Sequence, residues 1–300
     1  MPIDRTEIKA SRLSNCTAGF PDRGDSILSG FTGGMMKSVA PTLVVLLLVI
    51  SGLASAETTR IINTRNEYGG ETKELVFTAN DERYKQGIAK GISYYDNSQK
   101  LVRTETYCTD DYARKNGIRK TIAYYDNNGK EGKRETYFTD DYARKGGIAK
   151  TVHYFDKNGK IAKREFYHAD DYARKTGEAK KVLYYDNNEK PVKGEQYFTN
   201  DYTSKSGTAR AIYYFDNNGK KVKGEKYYAD DYTKKHGTTK TIHYLDNNEK
   251  EMKREVYYAD DYTRKTGIAK AIANYDNNEK LVKTEVYDRN GKLLRQILGK

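Results

Sequence analysis

The sequence predicts an all-β protein, an elongated antiparallel array of about seven 30-residue β-hairpin units arranged as a meander or solenoid. All 28 Tyr follow residue 57, and periodic amphipathic aromatics are typical of a thin, half-wet sheet. Hydrophobic residues make up only 36% of the chain and Trp is absent, which excludes a conventional enzyme-sized core. One acidic position recurs every thirty residues without insertion or deletion, at Asp96, Asp126, Asp156, Asp186, Asp216, Asp246 and Asp276.

Each unit is predicted to begin with a short strand. Lys120, Ile122 and Tyr124 alternate with other residues and therefore share one face of that strand. The position of Ile122 holds only Ile or Val in all units, from Ile92 to Ile272. We therefore assign this position to the core.

The second strand of each unit has one constant and one varying face. Lys133, Glu135 and Tyr137 share the constant face, and Glu135 is predicted to pair with Lys120 or Lys133. We expect this face to pack and the other to be exposed or to engage a partner. The other face varies through Thr106, Phe166, Gln196, Lys226 and Val256.

Two kinds of connection alternate along the chain. Residues 126–129 (DNNG) predict a hairpin turn, and because Glu189 replaces Gly129 in another unit, the Asn128 position is expected to take the positive φ. Residues 109–117 predict a loop with one short helical turn, capped by Thr109 or Asp110 and closed by Gly117. The tyrosine of this loop is expected to fold over the sheet edge, as are its equivalents, at positions Tyr112, Tyr142, Tyr172, Tyr202, Tyr232 and Tyr262.

The domain boundaries follow from where the repeat becomes irregular. Residues 57–87 are interpreted as a degenerate N-terminal capping repeat with a turn at 66–69, and residues 88–287 as the 30-residue hairpin repeats. Residues 288–300 form a predicted C-terminal capping strand after a tight turn at 288–291. Its apolar residues are Leu293, Leu294, Ile297 and Leu298.

The N-terminal part of the sequence predicts export. Residues 35–56 combine Lys37, an apolar run and Ala54-Ser55-Ala56, which is the pattern of a secretory signal peptide cleaved before Glu57. Residues 1–34 are then a leader or a start-site artefact. The apolar run is too short for a membrane anchor, so no transmembrane segment is expected after cleavage. We predict a periplasmic, extracellular or cell-surface location.

The charge favours anionic partners. The net charge is +12, and residues 57–300 carry +11 of it. Such an excess favours acidic polysaccharide, phosphate-bearing envelope polymer or nucleic acid, although a mixed charged surface also simply keeps a repeat protein soluble.

Short segments of the chain resemble known repeat families. Residues 213–224 (YYFDNNGKKVKG) resemble the aromatic hairpin repeats of bacterial cell-wall and glucan-binding modules. Residues 154–161 and 287–293 are similar to the MORN-type repeats of antitoxin-like proteins and to the YD repeats of secreted shells. The first resemblance implies sugar or choline bound by aromatics between hairpins. The other two imply an elongated β-scaffold without catalysis.

We predict no catalytic site, because nearly every polar residue is copied in each unit and an enzyme needs one asymmetric constellation. The Asp110-Asp111 pairs raise a calcium hypothesis, but two carboxylates followed by basic residues fall short of the oxygens that calcium takes. The four His occupy three different repeat positions, so no metal site is assigned, and no cofactor is expected. Cys108, the single Cys after residue 56, is interpreted as a small, half-buried side chain that forms no disulfide.

The leading functional hypothesis is multivalent binding to an envelope or extracellular anionic glycan. Tyr rings would stack on sugars, and Lys or Arg would meet carboxylate or phosphate. The alternative is a structural or protein-interaction scaffold at the cell envelope, and nucleic acid is not an expected partner. The predicted binding residues are Tyr95, Tyr125, Tyr185, Lys133, Lys163, Lys193 and Lys223.

Overall fold

Seventeen strands form one antiparallel sheet in the computed structural model, which describes residues 58–299. Each strand pairs with its neighbours in sequence, so the predicted hairpin meander is confirmed. The predicted leader, signal peptide and cleavage site lie outside the described residues. The strands are β1 Thr58–Asn63, β2 Gly69–Val76, β3 Ile88–Asp96, β4 Leu101–Cys108, β5 Ile118–Tyr125, β6 Glu131–Phe138, β7 Ile148–Phe155, β8 Ile161–His168, β9 Glu178–Tyr185, β10 Pro191–Phe198, β11 Thr208–Phe215, β12 Lys221–Tyr228, β13 Thr238–Leu245, β14 Glu251–Tyr258, β15 Lys270–Tyr275, β16 Leu281–Tyr287 and β17 Leu293–Leu298.

Short helices join successive hairpins at one end of the strands. A side-chain cap opens four of the seven helices within residues 58–299, as where Thr109 Oγ1 accepts a hydrogen bond from the Tyr112 backbone N–H at 3.3 Å, whereas the other three have Ala at this position. Gly117 closes the helix that Thr109 opens, in the left-handed conformation with φ 73°, as the sequence predicts. The helices are α1 Glu82–Lys85, α2 Asp110–Asn116, α3 Asp140–Gly146, α4 Asp170–Thr176, α5 Asn200–Ser206, α6 Asp230–His236 and α7 Asp260–Thr266.

The tyrosine of each helix from α2 to α7 packs on the preceding unit. The ring of Tyr142 lies over Gly117, where an added Cβ would come within 2.2 Å of it, and stacks on Phe138 with ring centroids 4.9 Å apart. The Thr139 backbone N–H also donates to the Gly117 carbonyl at 2.8 Å. These contacts tie consecutive units together along the helical edge and refine the prediction that this tyrosine folds over the sheet edge.

The hairpin turns differ from the sequence prediction in one respect. Positive φ falls on the fourth turn residue, at Gly129 (φ 74°) and Glu189 (φ 59°), and not on the Asn128 position. The reason is a three-residue loop in which a type I turn is followed by a left-handed residue, as the bonds from Gly129 N–H to Asp126 O and from Asp126 N–H to Lys130 O indicate. The Glu189 carboxylate helps to stabilise this conformation by accepting a hydrogen bond from the Ile161 N–H of the preceding unit at 3.1 Å.

The two faces of the sheet are buried in different ways. On the constant face the central row is buried, with Ile122 at 5% exposure, which confirms its core assignment. The opposite face was expected to be exposed or engaged, yet its Thr106 and Gln196 are also buried. Large side chains on this face lie over small ones, as Leu183 and Phe215 do around Gly194.

The C-terminal strand β17 leaves apolar side chains in contact with solvent. The predicted tight turn before it is present, with the Gly291 N–H bonded to the Asp288 carbonyl at 3.2 Å. However, Leu298 is 69% exposed, and Leu293 and Leu294 are exposed as well. The strand therefore ends the sheet without the polar outer side expected of a capping element.

Candidate functional site

The constant face, which we call the ladder face, carries three rows of side chains that run across the strands. Because the hairpins keep one register, Lys120 lies opposite Tyr137, Ile122 opposite Glu135, and Tyr124 opposite Lys133. The next pairing repeats the pattern, so Lys and Tyr alternate in the two outer rows while Glu alternates with Ile or Val in the central one. The row nearer the helices contains Tyr107, Lys120, Tyr137, Lys150, Tyr167, Lys180, Tyr197, Arg210, Tyr227, Lys240, Tyr257 and Lys270.

The row nearer the turns has the same composition. It includes Tyr94 and Arg103 and then alternates Tyr with Lys from Tyr124 to Lys253. Its members between these ends are Lys133, Tyr154, Lys163, Tyr184, Lys193, Tyr214, Lys223 and Tyr244.

The central glutamates are buried beneath these outer rows. Glu135 accepts bonds from Lys133 Nζ and the Tyr137 hydroxyl, both at 2.6 Å, and lies 3.6 Å from Lys150 Nζ. The pairing predicted with Lys120 or Lys133 is thus made by Lys133, with Lys150 as its second partner, while Lys120 pairs with Glu105. The exposure of these glutamates is between 3% and 7% at Glu105, Glu135, Glu165, Glu195, Glu225 and Glu255.

These contacts hold the carboxylates in the ionised form. Burial alone would raise the pKa of Glu135, but hydrogen bonds from Lys133 and Tyr137 outweigh it and lower the pKa to about 2. Burial and the hydrogen bond to Glu135 both raise the pKa of Tyr137, so its hydroxyl remains a donor. The face therefore keeps fixed charges at any ordinary pH.

The lysines lie over tyrosine rings while part of each amine side chain reaches solvent. Lys133 Nζ lies 4.5 Å from the Tyr124 ring centroid and 6.0 Å from that of Tyr154, within cation–π range. The side chain of Lys133 is 32% exposed. Since two cations, such as Lys133 and Lys150, share one glutamate, each unit leaves about one positive charge uncompensated on this face.

The structure divides the predicted binding residues between the two faces. Lys133 and its equivalents Lys163, Lys193 and Lys223 belong to the ladder face. Tyr95, Tyr125 and Tyr185 lie on the opposite, variable face, where the Tyr125 hydroxyl is 3.2 Å from Thr104 Oγ1. The structure does not bring these two groups together.

The rings that accompany the lysines are the preceding tyrosines. Adjacent strand residues point to opposite faces, so Tyr124 shares the face of Lys133 and Tyr125 does not. Tyr124 shares the face of Lys120 in the sequence pattern, but it is not among the predicted binding residues. The cross-strand pairing of Tyr124 with Lys133 would have identified it.

Other candidate sites show ordinary structural roles. Asp111 forms an exposed salt bridge with Arg114 of its own helix, and residues 58–299 contain no group of three or more acidic, His or Cys side chains arranged to hold a metal ion. Cys108 is half-buried as predicted, and burial raises the pKa of its thiol to about 11. Within the same residues, none of the helices has the length and apolar character needed to cross a membrane.

Comparison with known proteins gives only distant similarities. No family model matches the chain, and no curated protein matches it in sequence. An S. aureus TarM mutant in complex with fondaparinux, alpha-GlcNAc-glycerol and UDP is 14% identical, with a TM-score of 0.20, over 46% of this chain and 19% of that one. The Photorhabdus luminescens Tc holotoxin pore is 11% identical, with a TM-score of 0.21, over 81% of this chain and 12% of that one. At these TM-scores the similarities carry no argument about function.

Proposed function

We propose that the chain is an exported, non-catalytic repeat protein whose ladder face binds an anionic glycan at many weak sites. The observation that carries this proposal is the alternation of half-exposed Lys and Tyr in both outer rows, with about one uncompensated positive charge in each unit. Tyrosine edges offer apolar surface to sugar rings, and the amines meet carboxylate or phosphate groups.

The repeat geometry supports binding to a polymer. Each unit contributes two strands, so equivalent lysines such as Lys133 and Lys163 are separated by about 9.6 Å across the sheet. A flexible polyanion can then place successive charged groups on successive units. Each contact raises the effective concentration of the next, so many weak contacts give appreciable avidity.

The predicted signal peptide and the family resemblances agree with this proposal. A chain cleaved before Glu57 would meet envelope or extracellular glycans directly. Sugar binding by aromatic hairpins is what the resemblance to cell-wall and glucan-binding repeats implies, whereas the MORN-type and YD resemblances imply the scaffold alone. N-terminal sequencing of exported material should find Glu57, and a mature protein that starts before Met35 would contradict the export pathway.

Binding isotherms with polygalacturonate test the proposal on the mature protein. Affinity should fall with added salt and should fall again when one unit, residues 126–155, is deleted in phase. Neutral dextran of the same length is the control for charge. Equal affinity for the two polymers, or an affinity independent of unit number in folded proteins, would contradict multivalent anion binding.

A second candidate function, a protein-interaction scaffold, is favoured by the apolar residues at the C-terminal edge. Leu281 and Val282 of β16 are exposed alongside Leu293, Leu294 and Leu298 of β17. Exposed apolar side chains on an edge strand can mark a protein contact surface. A scaffold predicts that polar replacement of Leu293 and Leu294 abolishes partner binding, while loss of ladder-face lysines has little effect.

A further inference from the structure

Three arginines occupy one repeat position on the variable face, and two of them have a built-in carboxylate partner. Arg134 donates two hydrogen bonds to Glu131, at 2.7 and 2.5 Å. Arg254 donates two to Glu251, at 2.9 and 2.5 Å. The third is Arg164, and the residue three positions before it is Ile161. Of these three arginines, Arg164 alone therefore lacks a glutamate three positions before it.

The guanidinium of Arg164 lacks any other carboxylate as well. Among residues 58–299, none places a carboxylate within salt-bridge distance of it, and its Nε is buried without a hydrogen-bond partner. Its guanidinium carbon lies 6.0 Å from the Phe166 ring centroid and 5.6 Å from that of Tyr185. Aromatic rings thus flank a cation whose Nε–H donor is unused.

Among the remaining neighbours, the Glu189 carboxylate bonds to the Ile161 N–H and acts on Tyr185, but it forms no salt bridge with Arg164. Arg164 pairs across the strands with His153 on β7 and with Leu183 on β9. Burial, assisted by the charges of Arg164 and Arg134, lowers the pKa of His153 to about 4, so the imidazole is neutral at ordinary pH. The site has one unpaired cation, two aromatic rings and a neutral imidazole.

We propose that Arg164, with Phe166 and Tyr185, forms a single binding site for the carboxylate of an acidic sugar. A guanidinium with a buried, unpaired Nε–H gains when an external acceptor meets that donor, and its planar fork matches a carboxylate in two bonds. Arg134 and Arg254 show that this position accepts a carboxylate in that geometry. The adjacent rings supply the surface on which a sugar ring packs.

This site is independent of the ladder face. It lies on the opposite side of the sheet and occurs once, whereas the ladder repeats in every unit. The Arg164 site would therefore recognise a single sugar residue, for instance at a chain end or a branch. Its affinity would not depend on the length of the polymer.

NMR titration of the mature protein with glucuronate, glucose and inorganic phosphate tests the proposal, followed through the backbone amides of Phe166 and Leu183. The wild type should bind glucuronate and should bind glucose and phosphate more weakly. Arg164→Gln removes the cation, and Ile161→Glu supplies the missing partner from within the chain. Each should weaken glucuronate binding at least about tenfold, whereas the matched control Arg254→Gln should not.

The test does not depend on the folding of Arg164→Gln. Ile161→Glu adds the ion pair seen at Arg134 and should raise the melting temperature, so it provides a second, stably folded variant. No glucuronate binding by the wild type, equal binding of glucose, a preference for phosphate, or full binding by folded Ile161→Glu would each overturn the proposal. A ladder-face variant that loses polygalacturonate binding should keep glucuronate binding here. That result separates failure of this site from failure of the proposed function.

Discussion

Replacing Glu165 by Gln removes one buried carboxylate of the ladder face while keeping the size of the side chain. The carboxylate is 6% exposed and contacts Lys163 Nζ and Lys180 Nζ, each at 3.0 Å, and the Tyr167 hydroxyl at 2.7 Å. The amide offers one acceptor in place of two and leaves both amines without a negative partner. Loss of such charge-assisted bonds costs about 1.5–3 kcal/mol each, and more when the remaining charge is fully buried.

The two lysines are not fully buried, which sets the expected magnitude. Their side chains are 28% and 29% exposed, so water can solvate the amines once the carboxylate is gone. We therefore expect Glu165→Gln to lower the free energy of unfolding by about 2 kcal/mol at pH 7. The matched control is Asp171→Asn in the same unit, whose exposed pair with Arg174 should contribute less than about 0.5 kcal/mol.

Urea denaturation followed by circular dichroism measures both variants. The folded-state pKa of Glu165 is about 2, below its ordinary value of 4.5, so its contribution is complete above pH 4.5 and is lost as the pH falls towards 2. The difference between wild type and Glu165→Gln should therefore shrink on acidification through that window. Equal effects of Glu165→Gln and Asp171→Asn, or a difference that stays constant down to pH 3, would show that the buried carboxylate does not stabilise the fold in this way.

Two further predictions concern the packing between units and the repeat itself. Gly117→Ala should lower the free energy of unfolding by several kcal/mol, because φ is 73° and the added Cβ would lie 2.2 Å from the Tyr142 ring. The control Gly129→Ala has open space around its Cβ and should cost only about 1–2 kcal/mol for its left-handed φ. Equal losses of stability in thermal melts of the two variants would argue against the Tyr142 contact. In-phase deletion of residues 126–155 should give a shorter folded protein, and out-of-phase deletion of residues 126–140 should not, so indistinguishable melts would contradict stacked units.

Much of the fold could be predicted because each unit contains the residues that specify its own turns and helix ends. The thirty-residue spacing, the DNNG turns and glycines such as Gly117 specify hairpins and helix ends without reference to distant residues. The positive φ of the fourth turn residue was not placed in this way, because it depends on the three-residue loop closed by the bond from Asp126 N–H to Lys130 O. Similarly, the partner of Glu135 depends on the register across the helical connection, which brings in Lys150.

The candidate site was harder to predict than the fold, because it needs both strand parity and cross-strand register. Period-two alternation gives the face of Tyr124, but its position beside Lys133 follows only from the length of the turn between them. The site at Arg164 required a further step. Its distinguishing feature is the missing carboxylate at Ile161, which matters only once Glu131 and Arg134 are seen to pair.

The most direct test of the account compares two fourfold variants with the same change in net charge. The first variant replaces four ladder-face lysines by Gln, at Lys133, Lys163, Lys193 and Lys223. The second makes the same replacement at four exposed lysines of the helices, at Lys115, Lys145, Lys175 and Lys205. With folding verified by circular dichroism, affinity for polygalacturonate should fall at least tenfold more in the first variant than in the second. Equal affinities of the two folded variants would contradict the claim that the ladder face binds the glycan.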